Sequence, residues 1–160
     1  MTYNRDSRQY FQVDIDHARS AYNSLVCSDS QPNGRILIVD DDRLVADILK
    51  TVLTEFGYEA DIVYDGVQAL KMAHNFVYDL VSMDIKMPVC DGDDAIVAME
   101  ETMPDLQILV VSGNLSKRIR DELNLCKNVR GFMEKPVDLE KYVGNIRRII
   151  SSRKERNPRA

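Results

Sequence analysis

Short apolar runs that alternate with helical patterns constrain this chain more than any other feature of its sequence. From Arg35 onwards, five such runs are separated by stretches in which apolar residues recur every three or four positions. Short apolar runs are typical of buried strands, and stretches with an apolar residue every three or four positions are typical of amphipathic helices. The alternation therefore predicts repeated strand–helix units, and with them an α/β domain built on a parallel sheet.

The strands are expected at 36–39, 59–63, 79–83, 107–111 and 131–134. The helices are expected at 43–56, 66–76, 92–103, 116–125 and from about 138. Asp42, Ser116 and Asp138 are predicted N-caps, and Gly57 is the predicted stop of the first helix. The first helix is expected to bury Leu44, Ile48, Leu49, Val52 and Phe56, and the last helix Leu139, Tyr142, Val143, Ile146, Ile149 and Ile150.

Five strand–helix pairs with right-handed crossovers favour one arrangement of the sheet. It is a doubly wound, five-stranded parallel sheet in the order 2-1-3-4-5, with five helices on its two faces. The first strand is rich in Ile and Val with little alternation, as expected for a strand covered on both sides. In open sheets of this class, ligands bind at the carboxyl ends of the strands.

Polar side chains follow four of the predicted strands on that side. Asp40 and Asp41 follow the first strand, Asp84 the third, Ser112 the fourth and Lys135 the fifth. Three carboxylates crowded at one edge repel one another, and a hard divalent cation relieves the repulsion. Mg²⁺ is the simplest candidate, because it accepts a few carboxylates, water and a phosphoryl group.

These residues and their flanks resemble the receiver domain of two-component response regulators. The matching motifs, in order, are Asp40-Asp41, Asp84, Met87-Pro88, Asp91-Gly92, Ser112-Gly113 and Lys135-Pro136. The resemblance covers roughly residues 35–150. It implies the flavodoxin-like receiver fold and a stand-alone receiver similar to the chemotaxis type.

The resemblance also implies an acceptor and a metal site. Asp84 is the implied phosphoacceptor, and Mg²⁺ is the implied cofactor. Asp41 is the implied direct metal ligand, Asp40 acts on the metal mainly through water, and Asp84 itself and the backbone carbonyl of Lys86 complete the set. The side chain of Lys86 occupies a position that tunes the lifetime of the phosphoryl group in this family.

Three further roles are implied downstream. Ser112 contacts the phosphoryl group, and the ammonium of Lys135 forms an ion pair with it. Receivers typically have the peptide bond at the Lys135–Pro136 position in cis. Phe132 stands where the family often has Tyr and is the implied switch aromatic together with Ser112. A strand-end aromatic that packs in a single position is the alternative for Phe132.

The resemblance implies a Mg²⁺-dependent phosphoacceptor in a two-component or phosphorelay pathway. A sensor histidine kinase or histidine phosphotransfer protein supplies the phosphoryl group, the acyl phosphate hydrolyses slowly, and output passes to a downstream protein. Homodimer formation is left open. With about ten residues after the last helix, no attached effector domain is expected.

Two other functions remain as alternatives. A haloacid dehalogenase-type phosphohydrolase also uses an Asp nucleophile and Mg²⁺, but its nucleophile follows the first strand in an Asp-x-Asp-x-Thr/Val pattern, where this chain has Leu44 at the last position. A pseudo-receiver would bind a partner without taking phosphate. The loop after the first strand lacks the glycine-rich phosphate cradle of dinucleotide sites.

Composition narrows the expected partners and location. The net charge is −5, and the basic residues of the predicted tail at 151–160 leave the remaining chain more acidic still, which disfavours nucleic-acid binding. No apolar run is long enough for a membrane span. The three cysteines are widely spaced and form no CxxC pair, which indicates a reducing compartment. The N-terminus has no apolar signal core, so the cytoplasm is the expected location.

Residues 1–34 form a predicted N-terminal extension outside the resemblance. Its segment 14–26 places Ile15, Ala18, Tyr22, Leu25 and Val26 at helical spacing, with a linker-like stretch at 28–34. A helix this short needs a surface to bury its apolar stripe. The candidate surfaces are the receiver itself, another subunit or a signalling partner, and docking to a protein partner is the working hypothesis. The alternative is a mostly disordered leader.

Overall fold

Five parallel strands make up a single sheet in the computed structural model, which describes residues 33–87, 90–113 and 115–156. The strands are β1 (Arg35–Val39), β2 (Glu59–Val63), β3 (Leu80–Met83), β4 (Gln107–Ser112) and β5 (Val129–Glu134). Their order across the sheet is β2-β1-β3-β4-β5, and every neighbouring pair is parallel. The predicted doubly wound sheet is confirmed. The predicted amphipathic segment at 14–26 lies outside the described residues.

Five helices cover the two faces of the sheet within the described part of the chain. They are α1 (Arg43–Glu55), α2 (Gly66–Asn75), α3 (Gly92–Thr102), α4 (Lys117–Leu123) and α5 (Leu139–Arg156). Helices α1 and α5 pack on one face, and α2, α3 and α4 pack on the other. None of these described helices has the length and apolarity that crossing a membrane requires.

The predicted N-caps hold the starts of three helices. Asp42 accepts two backbone N–H groups from the first turn of α1, at 2.9 and 3.2 Å. Ser116 accepts one in α4 at 3.3 Å, and Asp138 accepts one in α5 at 3.1 Å. These bonds satisfy donors that a helix leaves without an internal partner at its beginning.

The core consists of one apolar layer on each face of the sheet. Along β1, Ile36 and Ile38 face α1 and α5, whereas Leu37 and Val39 face the other three helices. All four side chains are buried. Burial on both faces explains why this strand reads as a continuous apolar run in the sequence.

The inner face of α1 differs from the prediction at its first turn. Leu44, which was expected to point inward, is 43% exposed, while Val45 and Leu53 are buried. The first turn lies at the carboxyl edge of the sheet, where the apolar layer ends. The buried stripe is therefore rotated by one residue relative to the prediction at this end of the helix.

The last helix runs past residue 150, where the domain was expected to end, and continues to Arg156. Ser152 Oγ donates a hydrogen bond to the carbonyl of Ile149 at 2.8 Å. Arg153 Nη1 lies 3.6 Å from Asp79 Oδ1. This ion pair ties the end of α5 to the loop before β3. Residues 151–156, expected as part of the tail, belong to the helix.

Two glycines form a matched pair that tests how closely the loop after β3 packs. A Cβ added at Gly92 would lie 1.9 Å from the backbone oxygen of Asp84, whereas at Gly144 it would meet nothing within 4 Å. We expect Gly92→Ala to lower the free energy of unfolding by about 3 kcal/mol through overpacking. We expect Gly144→Ala, in the exposed part of α5, to raise it by about 0.5–1 kcal/mol. Urea unfolding measures both, and a Gly92→Ala variant as stable as the wild type would contradict the close approach.

Candidate functional site

The carboxyl edge of the sheet gathers the acidic residues that follow the strands. Asp40 follows β1, and Asp84 follows β3, the hydrogen-bonded neighbour of β1. The backbone N–H of Asp84 donates to the carbonyl of Val39 at 2.9 Å, which sets the spacing between the two strand ends. Carboxylate oxygens of Asp40, Asp41 and Asp84 all lie within 4.8 Å of one another. We call these three residues the acidic pocket.

One ammonium group bridges two of the three carboxylates. Lys135 Nζ lies 2.7 Å from Asp40 Oδ2 and 2.6 Å from Asp84 Oδ2, and its side chain is only 14% exposed. The backbone N–H of Lys135 donates to the carbonyl of Ser112 at 3.1 Å, which holds the end of β5 against β4. The Lys135–Pro136 peptide is cis, as expected. The side chain therefore reaches across the end of β4 to the strands that carry the acids.

Burial and charge crowding shift the ionisation of these groups. Burial raises the pKa of Asp40 to about 6, although the ammonium of Lys135 opposes the shift and the charge of Asp84 adds to it. Burial by itself lowers the pKa of Lys135, but attraction and hydrogen bonds from Asp40 and Asp84 outweigh it and the pKa lies above its ordinary value. Lys135 is therefore charged near neutral pH. One positive charge faces three carboxylates, so the pocket carries excess negative charge.

The donor set of the acidic pocket suits a hard divalent cation. Asp40 Oδ1 accepts the backbone N–H of Asp42 at 3.0 Å, which fixes the orientation of that carboxylate. Asp41 is exposed at the mouth of the pocket. Mg²⁺ prefers a few carboxylate oxygens and retains several waters, and an exposed carboxylate leaves room for those waters. The residues present therefore fit Mg²⁺.

Ser112 places a hydroxyl in the interior between the two strand ends that carry Asp84 and Lys135. The residue is 1% exposed, and its Oγ has no hydrogen-bond partner among the described residues. Buried hydroxyl groups nearly always have a partner, and leaving one without costs about 1–3 kcal/mol. An unpaired hydroxyl at this edge is ready for a ligand that brings an acceptor oxygen.

The loop after β3 folds back over Asp84. The backbone N–H of Lys86 donates to Asp84 Oδ1 at 3.3 Å, and that of Gly92 donates to the carbonyl of Ile85 at 2.8 Å. The Lys86 ammonium extends outward to Asp91 Oδ2 at 3.5 Å, and the Lys86 side chain is 58% exposed. Because an exposed ion pair of this kind contributes little stability, the Lys86 side chain can leave Asp91 at small cost.

Phe132, the predicted switch aromatic, is half-buried on β5 and packs against the apolar cluster to which α4 contributes. The guanidinium carbon of Arg120 lies 5.1 Å from the centroid of its ring. Arg120 also pairs with Glu134, with 3.1 Å between Nη2 and Oε1. Phe132 and Glu134 are two positions apart and so share one face of the strand. The sequence pattern gives no indication of Arg120, since helical periodicity does not reveal which strand residues a helix covers.

The family of this chain follows from comparison with known proteins. The profile of the family described as "Response regulator receiver domain" matches residues 36–147. The chain belongs to this family. Membership of the receiver domain family does not favour the haloacid dehalogenase-type hydrolase or the pseudo-receiver binding module.

Curated response regulators are similar to this receiver domain over part of their length. Response regulator MprA of Mycobacterium sp. (strain KMS) is 34% identical over 118 residues, which is 72% of this chain and 50% of that protein. MprA of Mycobacterium ulcerans (strain Agy99) is 33% identical with the same coverage. The chain therefore spans about half the length of these curated relatives.

Solved receiver structures share the fold. A CheY-like response regulator receiver domain protein from Methanospirillum hungatei JF-1 superposes with a TM-score of 0.74 at 26% identity, covering 80% of this chain and 100% of that one. Response regulator TrrA from Thermotoga maritima, solved in complex with Mg(2+)-BeF, has a TM-score of 0.64 at 28% identity, with coverage of 72% and 97%.

Removing the bridging ammonium should destabilise the receiver domain, because two buried carboxylates lose their partner. We expect Lys135→Met to lower the free energy of unfolding in Mg²⁺-free buffer by on the order of 3 kcal/mol. Adding Asp84→Asn should recover part of this loss, since one uncompensated charge is then gone. Urea unfolding of the two single variants, the double variant and the wild type measures both effects.

Lys141 provides a matched control for this substitution. Its ammonium pairs with Asp138 at 3.2 Å on the surface, and its side chain is 76% exposed. Lys141→Met should therefore cost far less than Lys135→Met. Equal losses for the two variants would show that the buried ion pair contributes no special stability.

Proposed function

We propose that this receiver domain is a phosphorylation-driven signalling switch with Asp84 as the phosphoacceptor. The proposal rests on the surroundings of the Asp84 side chain. Its carboxylate is buried, lies 2.6 Å from the ammonium of Lys135, and belongs to the acidic pocket. Phosphoryl transfer mainly requires that the attacking oxygen is positioned and that charge on the phosphoryl oxygens is neutralised, and this arrangement can provide both.

In the proposed reaction, a carboxylate oxygen of Asp84 attacks the phosphorus of a phosphohistidine. A P–O bond forms while the P–N bond of the donor breaks, and its electron pair stays on the imidazole nitrogen, which then takes up a proton. The product is an acyl phosphate. Hydrolysis of the acyl phosphate ends the signal. A water oxygen bonds to phosphorus and gives up a proton to solvent, the P–O bond to Asp84 breaks with its electron pair left on the carboxylate, and inorganic phosphate leaves.

Two side chains beside Asp84 are proposed to hold the phosphoryl group. The ammonium of Lys135 would pair with one phosphoryl oxygen, since it already lies against the acceptor carboxylate. The hydroxyl of Ser112 would donate to another, which gives this buried group the partner it lacks among the described residues. Hydrogen bonds to charged groups contribute about 1.5–3 kcal/mol each, so both contacts are substantial.

Mg²⁺ is the proposed cofactor. Asp41 and Asp84 would bind it directly, Asp40 mainly through water, and the backbone carbonyl of Lys86 would complete the protein ligands. When bound, the ion would neutralise charge on the equatorial oxygens of the transferring phosphoryl group. The Mg(2+)-BeF complex of TrrA supports this choice of ion.

The phosphoryl donor and the receiver of the signal are proposed to be proteins. A sensor histidine kinase or a histidine phosphotransfer protein is the proposed donor, in the cytoplasm, as is usual for receiver domains. Output would pass to a downstream protein through the surface formed by α4, β5 and α5, with dimerisation as an open question. Lys86 beside the acceptor is proposed to set the lifetime of the phosphoryl group.

Ser112 and Phe132 are proposed to couple the acidic pocket to that surface. Phosphorylation would draw Ser112 toward the phosphoryl group and let the Phe132 ring turn inward. A shift from mostly inactive to mostly active requires about 5 kcal/mol, which two hydrogen bonds to a charged group can supply. Because the guanidinium of Arg120 lies over the ring and pairs with Glu134, it has to move when the ring turns.

Incubation with acetyl phosphate and Mg²⁺, followed by intact-mass measurement, tests the acceptor. The wild type should gain the mass of one phosphoryl group, and the gain should be lost with EDTA or with Asp84→Asn. Asp47→Asn, at an exposed acid on α1, is the matched control and should retain the gain. A phosphoryl adduct that survives Asp84→Asn would overturn the assignment.

Substitution of Arg120 tests the coupling to Phe132. The cation–π contact and the exposed ion pair together contribute about 1 kcal/mol, so Arg120→Ala should shift the population of the inward ring by about five-fold. NMR resonances of β5 in the unphosphorylated variant should then move toward their beryllofluoride-bound positions. Arg118→Ala removes a pair with Glu122 inside α4 and should leave them in place. Wild-type positions in the Arg120→Ala variant would contradict the restraint on the ring.

A further inference from the structure

A groove of about 390 Å³ lies at the edge of the sheet opposite the acidic pocket. It forms where α2 and α3 end, and Arg153 near the end of α5 contributes to its wall. Its apolar lining includes Phe76, Val77, Met103 and Leu106. We call this concavity the amino-edge groove, because the amino ends of the strands lie at this edge.

Two neighbouring apolar side chains of the groove are open to solvent. Phe76 is 47% exposed and Val77 is 83% exposed. Among the large apolar side chains that are exposed in the described residues, they alone are adjacent in sequence. Single exposed apolar residues need no explanation, but an apolar group beside a concavity is typical of a binding surface.

The chain before β1 joins the fold at the same edge. A Cβ at Gly34 would lie 3.0 Å from Asp79 Oδ2, so the backbone there passes directly over the Asp79 side chain. The other carboxylate oxygen of Asp79 pairs with Arg153 at 3.6 Å, and Arg153 lines the groove. The Asp79–Arg153 ion pair therefore links the attachment point of the N-terminal extension to the wall of the groove.

The extension carries a predicted apolar stripe and a short tether. The stripe predicted within residues 14–26 consists of Ile15, Ala18, Tyr22, Leu25 and Val26. Asn33 is held on the fold, because its backbone N–H and its side-chain amide donate to the carbonyls of Gly57 and Phe56, both at 2.9 Å. The six residues before it, 27–32, can span roughly 20 Å when extended, at about 3.3 Å per residue. A short tether raises the effective concentration of the segment at the groove to about the millimolar range, so even a weak contact would be populated.

We infer that the apolar stripe of residues 14–26 docks into the amino-edge groove of its own receiver domain and covers Phe76 and Val77. Of the three surfaces that the sequence left open, the receiver itself is the one that the attachment point favours. The acidic pocket lies at the opposite edge of the sheet, so docking leaves Asp84 accessible. This inference does not rest on the proposed phosphoryl transfer.

A paramagnetic label on Cys27 in the full chain tests the docking. Cys90→Ser and Cys126→Ser make Cys27 the single thiol, next to the end of the stripe. NMR spectra compare the oxidised and reduced nitroxide. The amide signals of Phe76 and Val77 are expected to lose most of their intensity in the oxidised form, while those of Gly113 at the opposite edge keep theirs.

Matched substitutions separate docking from mere proximity of the tether. Val77→Asp is expected to restore the groove signals, because a carboxylate would have to be buried on docking. Leu125→Asp, at a residue that is also 83% exposed but does not line the groove, is expected to change nothing. Within the extension, Tyr22→Asp should restore the signals and Asn23→Asp, off the stripe, should not. A dispersed spectrum verifies that each variant is folded.

Three outcomes would overturn the inference. Undiminished groove signals in the labelled protein would show that the segment lies elsewhere. Signal loss that survives both Val77→Asp and Tyr22→Asp would show proximity without docking. Signal loss in a mixture of spin-labelled chains and separate ¹⁵N-labelled chains, growing with concentration, would assign the groove to a second copy.

Discussion

The ammonium of Lys135 between two buried carboxylates is the interaction on which the rest of the site depends. Asp40 and Asp84 end hydrogen-bonded parallel strands, so the backbone brings their charges together whether or not that is favourable. Lys135 offsets part of the repulsion at 2.7 and 2.6 Å. With Asp41 nearby the pocket remains negative, and this remaining charge favours a divalent cation and, through it, a phosphoryl group.

The site is built for binding at some cost in stability. Burial raises the pKa of Asp40 to about 6, and the hydroxyl of Ser112 is buried without a hydrogen-bond partner among the described residues. Both features are unfavourable in the domain by itself, and the proposed cation and phosphoryl group would offset them. Local conflicts of this kind are expected at functional sites, and the apolar layers on both faces of the sheet supply the stability that offsets them.

The acidic pocket and the amino-edge groove lie at opposite edges of the sheet. Each helix that follows a strand begins at the carboxyl edge, near the acidic pocket, and runs back to the amino edge. Helices α2 and α3 therefore begin at the edge that carries the acidic pocket and end at the amino-edge groove. The acidic pocket lies at one edge, while the exposed side chains of Phe76 and Val77 lie at the other. The proposed phosphorylation at the acidic pocket and the inferred docking of residues 14–26 at the groove therefore do not exclude each other.

Sequence alone determined the succession of strands and helices, the caps at Asp42 and Ser116, and the placement of acids and Lys135 at strand ends. These features are local, because apolar periodicity, capping and strand ends are read within a few residues. Tertiary structure decided the exposure of Leu44, the extension of α5 to Arg156, the contact of Arg120 with Phe132, and the amino-edge groove. Each of these depends on how a helix packs against a sheet or a loop that is distant in sequence. No local pattern encodes that packing, since the same amphipathic helix can present its polar face to many different neighbours.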